Sequence, residues 1–147
     1  MHRYVLLLHI LAASVWVGGH LFLALRLLPE IVRTRSAALL LDFERRYEPL
    51  GMTALAVQVV SGLWLAARLV PPSMWLRTDI PASRMLMLKF GALALTILFA
   101  LDARFRVLPK IDDQRVTSMV PHISAVTLLG IVFVVAGVGI RTGGWTG

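Results

Sequence analysis

The chain has 147 residues, 58% of them hydrophobic, with a mean hydropathy of +0.79 and a formal net charge of +7. A single domain of this size cannot hide so much apolar surface in a soluble core, so the lipid bilayer is the expected solvent and nucleic acid is set aside as the partner of the positive charge. The absence of cysteine excludes disulfides, thiolate metal sites and covalent c-type haem attachment.

Crossing ~30 Å of hydrocarbon takes a helix of ~20 apolar residues, and four stretches reach that length. The first is free of charge from Tyr4 to Leu25 and predicts a helix over about 4–28, too long for the apolar region of a signal peptide and so read as retained. It carries His9 and His20, whose spacing places them ~20° apart around the helix and ~16 Å apart along it. Between them the run from Ala12 to Gly19 is rich in small residues, which admit a neighbouring helix or a flat cofactor. With the helix midpoint near Trp16, His9 lies ~10 Å toward the N-terminal face and His20 ~6 Å toward the other.

The first helix leads into Arg26-Leu27-Leu28-Pro29-Glu30-Ile31, and Arg106-Val107-Leu108-Pro109-Lys110-Ile111 follows at an offset of 80 residues. Each proline predicts an exit from the membrane, and the match predicts two hairpins related by a weak parallel repeat. The polar stretch from Ile31 to Glu48 reads as a cytoplasmic extension of helix, and the second span covers about 49–69 with Gln58 and Ser61 at depth. Pro71, Pro72, Trp75 and Pro81 make the next turn irregular, with Trp75 at the membrane interface.

The third span, about 85–108, is interrupted by Lys89 and ends near Asp102. A lone ammonium in hydrocarbon costs ~2.5 kcal/mol or more unless it snorkels, pairs or binds something. Lys89 lies ~11 Å outward of its helix midpoint, the depth of His9, and it is also separated from His9 by the repeat offset. The fourth span, about 116–140, carries His122 near the level of His20.

Arg26, Arg33, Arg35, Arg45 and Arg46 flank the first turn, and Arg104, Arg106, Lys110 and Arg115 the third, whereas the opposite face has Arg3, Arg68, Arg77, Arg84 and Arg141. Short basic loops stay in the cytoplasm, which predicts both termini on the periplasmic side of a bacterial-type inner membrane. The expected fold is all-α, a four-helix transmembrane bundle forming a single domain over 1–147.

Imidazole is the usual axial ligand of b-type haem, and a neutral lysine can also ligate. The candidate cofactor is therefore haem b, one or two, with His9 and Lys89 as the outer ligands and His20 and His122 as the inner ones. A membrane cytochrome would transfer electrons with a quinone or another redox partner, and homo-oligomerisation is a further candidate. Met85 and Met87 near the outer mouth of the third span open a different reading, because thioethers with imidazole suit Cu(I).

The string Leu8-His9-Ile10-Leu11-Ala12-Ala13-Ser14-Val15-Trp16-Val17-Gly18-Gly19 resembles the copper-resistance D (CopD) family of membrane proteins, and the likeness extends through Ser61-Gly62-Leu63-Trp64 and the fourth span. That resemblance implies copper import or copper tolerance. More distantly the chain is similar to the membrane protoporphyrinogen oxidases, which implies haem b at His9 and Lys89 and an oxidase acting on a porphyrinogen or a quinol. Their Asn-Glu-x-Pro pattern in helix four is replaced here by Val120-Pro121-His122.

Overall fold

The computed structural model describes residues 1–142. Four long helices follow one another: α1 (His2–Thr34), α2 (Ala37–Leu69), α3 (Pro81–Lys110) and α4 (Val116–Thr142), each long and apolar enough to cross a membrane. No strand occurs among the described residues, so the protein is an all-helical, multi-pass membrane protein. Many large apolar side chains, such as Val60, Leu98 and Leu128, are exposed, as lipid-facing surface should be. The polar stretch before the second span is helical, as expected, and Asp42 pairs there with Arg45 at 2.6 Å and Arg46 at 2.9 Å.

Pro29 does not end its helix, which runs on to Thr34, whereas Pro109 lies one residue short of the helix end at Lys110, close to where the sequence suggests. Before each, the backbone widens into a π turn, at Leu23–Leu27 and Ala103–Val107, closed by the Leu28 N–H donating to the Leu23 carbonyl and the Leu108 N–H to the Ala103 carbonyl. A proline ring crowds the carbonyl four residues back and supplies no N–H, and one extra residue in the turn relieves that clash so that the chain runs on. The two π turns are 80 residues apart, so the repeat is one of backbone as well as of sequence.

Beyond its π turn α1 continues to Thr34 and turns sharply through Arg35, at φ 50°, into Ser36, whose hydroxyl accepts from the Leu39 N–H and caps α2. A left-handed conformation costs a non-glycine residue about 1–2 kcal/mol. Arg35→Gly is therefore expected to stabilise the protein by about 0.5–1 kcal/mol after its own entropic cost, measured by thermal unfolding in detergent.

Helix α1 lies along α2 and α3 along α4, and the two hairpins meet chiefly where α1 crosses α4. The end of the bundle that holds the α1–α2 and α3–α4 turns is the better packed: Ile31, Leu40 and Val116 are fully buried there with Leu23, Met119 and Ile123. The Ala37 N–H also donates to Asp113 Oδ1 at 2.8 Å, tying the two turns together. Helices α2 and α3 touch near their ends, through the Glu48–Arg104 ion pair at 2.9 Å and through Ala66 and Val70 against Leu86. Trp75 covers that last contact, donating its indole N–H to the Val70 carbonyl at 2.9 Å. Between those ends the hairpins enclose open space.

Candidate functional site

That space is a cavity of about 690 Å³ in the half of the bundle nearer the termini, lined by all four helices. Its size lies within the range of small-molecule and cofactor sites, and its wall is mostly apolar, with Leu6, Leu55, Phe90 and Phe133 among the side chains. Polar groups are few: His9 and Ser14 from α1, Gln58 from α2 and Lys89 from α3, with His2 and Arg141 toward the helix ends.

Hydrogen bonding orients His9. The Ser61 hydroxyl lies 2.6 Å from the Val57 carbonyl and 2.9 Å from His9 Nδ1, and with its proton on the carbonyl it accepts from His9 Nδ1–H. The ring is then the Nδ1–H tautomer and Nε2 keeps its lone pair. A ligating histidine is oriented in the same way, by a partner on its other nitrogen. Gly62 makes room for the ring, because a Cβ there would come within 3.0 Å of His9 Cε1. One residue of the Ser61-Gly62 pair holds the imidazole and the other admits it.

Lys89 reaches the same cavity from α3, with its Nζ beside Gly137 of α4, where a Cβ would make an ordinary contact at 3.6 Å. It makes no ion pair among the described residues. The two residues that depth and the repeat paired thus line the same cavity, from different hairpins. Gln58 adds a buried carbonyl oxygen with no partner among the described residues, and as an amide it can offer either end to a ligand.

The inner residues are arranged differently. His20 donates from Nδ1 to the Trp16 carbonyl at 2.9 Å, and its ring packs against Trp16 and edge-on to Tyr47. Both nitrogens of His122 already face protein oxygens, the Ser118 carbonyl at 3.3 Å and Asp102 Oδ2 at 2.7 Å, so neither is turned toward open space. Neither histidine lines the cavity, and nor do Met85 and Met87. Among the described residues there is no group of three or more histidines, aspartates or glutamates placed to hold a bare metal ion.

Sequence reasoning placed Gln58 and Ser61 at depth without giving them a part. Their signal was the three-residue spacing, which with Gly62 aligns them on the face of α2 that meets His9. Removing an orienting partner of a ligating histidine typically costs 10–100-fold in metal affinity. Ser61→Ala is accordingly expected to weaken ligand retention about 10–100-fold while leaving the helix content unchanged, read by titration of the purified protein.

Two comparisons bear on identity. A family model described as copper resistance protein D matches residues 41–140, which takes in Gln58, Ser61, Lys89 and His122 and leaves out the part of α1 that carries His9 and His20. No curated protein and no solved structure matches the chain.

Proposed function

The chain belongs to the copper resistance protein D family, and from the geometry of its cavity we propose that it binds one haem b and serves electron transfer within the membrane. The observation that carries this reading is the His9 imidazole, oriented by Ser61 with its Nε2 lone pair free, on the wall of a large apolar cavity that also holds an uncompensated amine. A bare ion needs several donors close together, whereas a flat organic complex needs volume, apolar walls and one or two axial donors. Haem b, when bound, supplies one-electron redox chemistry. His9 and Lys89 would hold it, Gln58 would offer it a hydrogen bond, and the apolar wall would keep water out.

One group rather than two follows from the settings of His20 and His122. Their single variants, His20→Ala and His122→Ala, should therefore leave the visible spectrum unchanged. The basic α1–α2 and α3–α4 turns support a cytoplasmic location for that end, which puts the cavity in the periplasmic half of the membrane.

The family match itself favours a second reading, copper import or tolerance. In the cavity that reading rests on His9, since Met85 and Met87 lie off the wall. The visible spectrum of the detergent-purified protein separates the two. A Soret band with α and β bands after dithionite supports haem, whereas a colourless preparation that takes up copper and not haem establishes the copper reading instead.

A further inference from the structure

At the opposite end of the bundle, where α3 gives way to α4, a second concavity of about 490 Å³ is lined by Arg106, Lys110, Arg115, Thr117, Ser118 and Pro121. Three cationic side chains and two hydroxyls face one space with no carboxylate in its wall. Arg106 is held on one side by Asp102 at 3.0 Å, but Asp102 also serves His122, and the Arg115 guanidinium lies 4.0 Å from Asp112, whose carboxylate accepts from the Arg115 backbone N–H at 2.8 Å. Lys110 has no ion pair among the described residues.

The internal repeat supplies a control. At the equivalent place in the first hairpin, Arg26 is followed four residues later by Glu30 and pairs with it at 3.5 Å. In the second hairpin Lys110 stands where Glu30 does, so Arg106 pairs with Asp102 on its other side and Lys110 adds a second positive charge. The chain then leaves helical geometry at Ile111 and starts α4 at Val116, which makes the fold between them concave.

The surroundings are those of a membrane edge. Leu101 and Phe105, 49% and 72% exposed, show that the apolar outer surface of α3 runs up to Arg106. We propose that this basic concavity is a binding site for the phosphate headgroup of an anionic phospholipid. The guanidinium groups and Lys110 carry the charge, Thr117 and Ser118 donate from the start of α4, and the acyl chains lie against the face of α3 that ends in Phe105. Basic recesses of this kind between transmembrane helices hold anionic headgroups.

The test is native mass spectrometry of the detergent-purified full chain with phosphatidylglycerol and, separately, phosphatidylcholine. Phosphatidylglycerol should be retained over phosphatidylcholine. Each lost charge should weaken retention about fivefold, so R106Q/K110Q/R115Q loses about a hundredfold. Lys110→Glu, which restores the charge pattern of the first hairpin and changes the charge by two, should on its own weaken retention about 25-fold, and it decides the matter if the triple variant fails to fold by circular dichroism. Equal retention of the two lipids, or a Lys110→Glu protein that keeps the wild-type preference, overturns the proposal. Complete displacement of phosphatidylglycerol by an equal concentration of inorganic phosphate overturns the lipid assignment in favour of a free-phosphate site.

Discussion

His9→Ala is expected to strip the purified protein of its bound chromophore, with a loss of affinity well beyond the 10–100-fold that follows removal of an orienting partner. The substitution removes the only imidazole on the cavity wall that is oriented by a neighbour and keeps a free lone pair, and it leaves Ser61 with an accepting oxygen and no donor. The Ser61 hydroxyl keeps its bond to the Val57 carbonyl, so the helices lose little and the variant should still insert and fold. Folding and binding are thereby separable. Imidazole added to the medium fits the space vacated by the side chain and should restore the absorption in part. Lys89→Met should shift the spectrum rather than abolish it, because His9 remains to hold the group. If His9→Ala retains a full and unaltered spectrum, the cavity is not the cofactor site, and the copper reading must then be tested by metal titration of the same protein.

Much of the fold was legible because a bilayer imposes a length and an apolar composition that short-range sequence reveals directly. The four spans, the helical extension before the second and the hairpin repeat all follow from that constraint. Pro109 does stand at the end of its helix, but Pro29 was read as an exit because sequence cannot say whether a proline ends a helix or widens it. The answer depends on tertiary packing, here of Leu23, Leu28 and Ile31 around the π turn in the first hairpin. The pairing of His9 with Lys89 was legible from depth and the repeat offset. Depth alone could not pair His20 with His122: which way each ring points is decided by Trp16 and Tyr47 for one and by Asp102 for the other. Met85 and Met87 illustrate the same point. The cavity-lining positions of α3 are Leu86, Lys89, Phe90 and Leu93, and at 100° per residue the two methionines turn off that face.

The second large effect concerns Gly19, and its sign separates two explanations of a small residue in a transmembrane helix. Alanine is the better helix former by about 0.8–1.0 kcal/mol, so if Gly19 mattered only to its own helix, Gly19→Ala would stabilise. The structure points the other way. A Cβ at Gly19 would collide with the Tyr47 ring of α2, and neighbours on two sides hold that ring in place. Gly51 lies against it from the same helix, where a Cβ would come within 2.8 Å, and Phe43 stacks on it with ring centroids 5.2 Å apart. Its hydroxyl donates to the Val15 and Trp16 carbonyls at 3.0 Å each, which joins α1 to α2 beside His20. Alanine at this position must therefore either spread the hairpin or expel Tyr47, and overpacking of this kind costs about 1–3 kcal/mol. In a Tyr47→Ala background the ring is gone and the same change should cost nothing or stabilise. The four proteins form a double-mutant cycle with an expected coupling of about 1–3 kcal/mol, measured by thermal unfolding in detergent. A stabilising Gly19→Ala in the wild-type background would mean that the slot between α1 and α2 does not hold Tyr47.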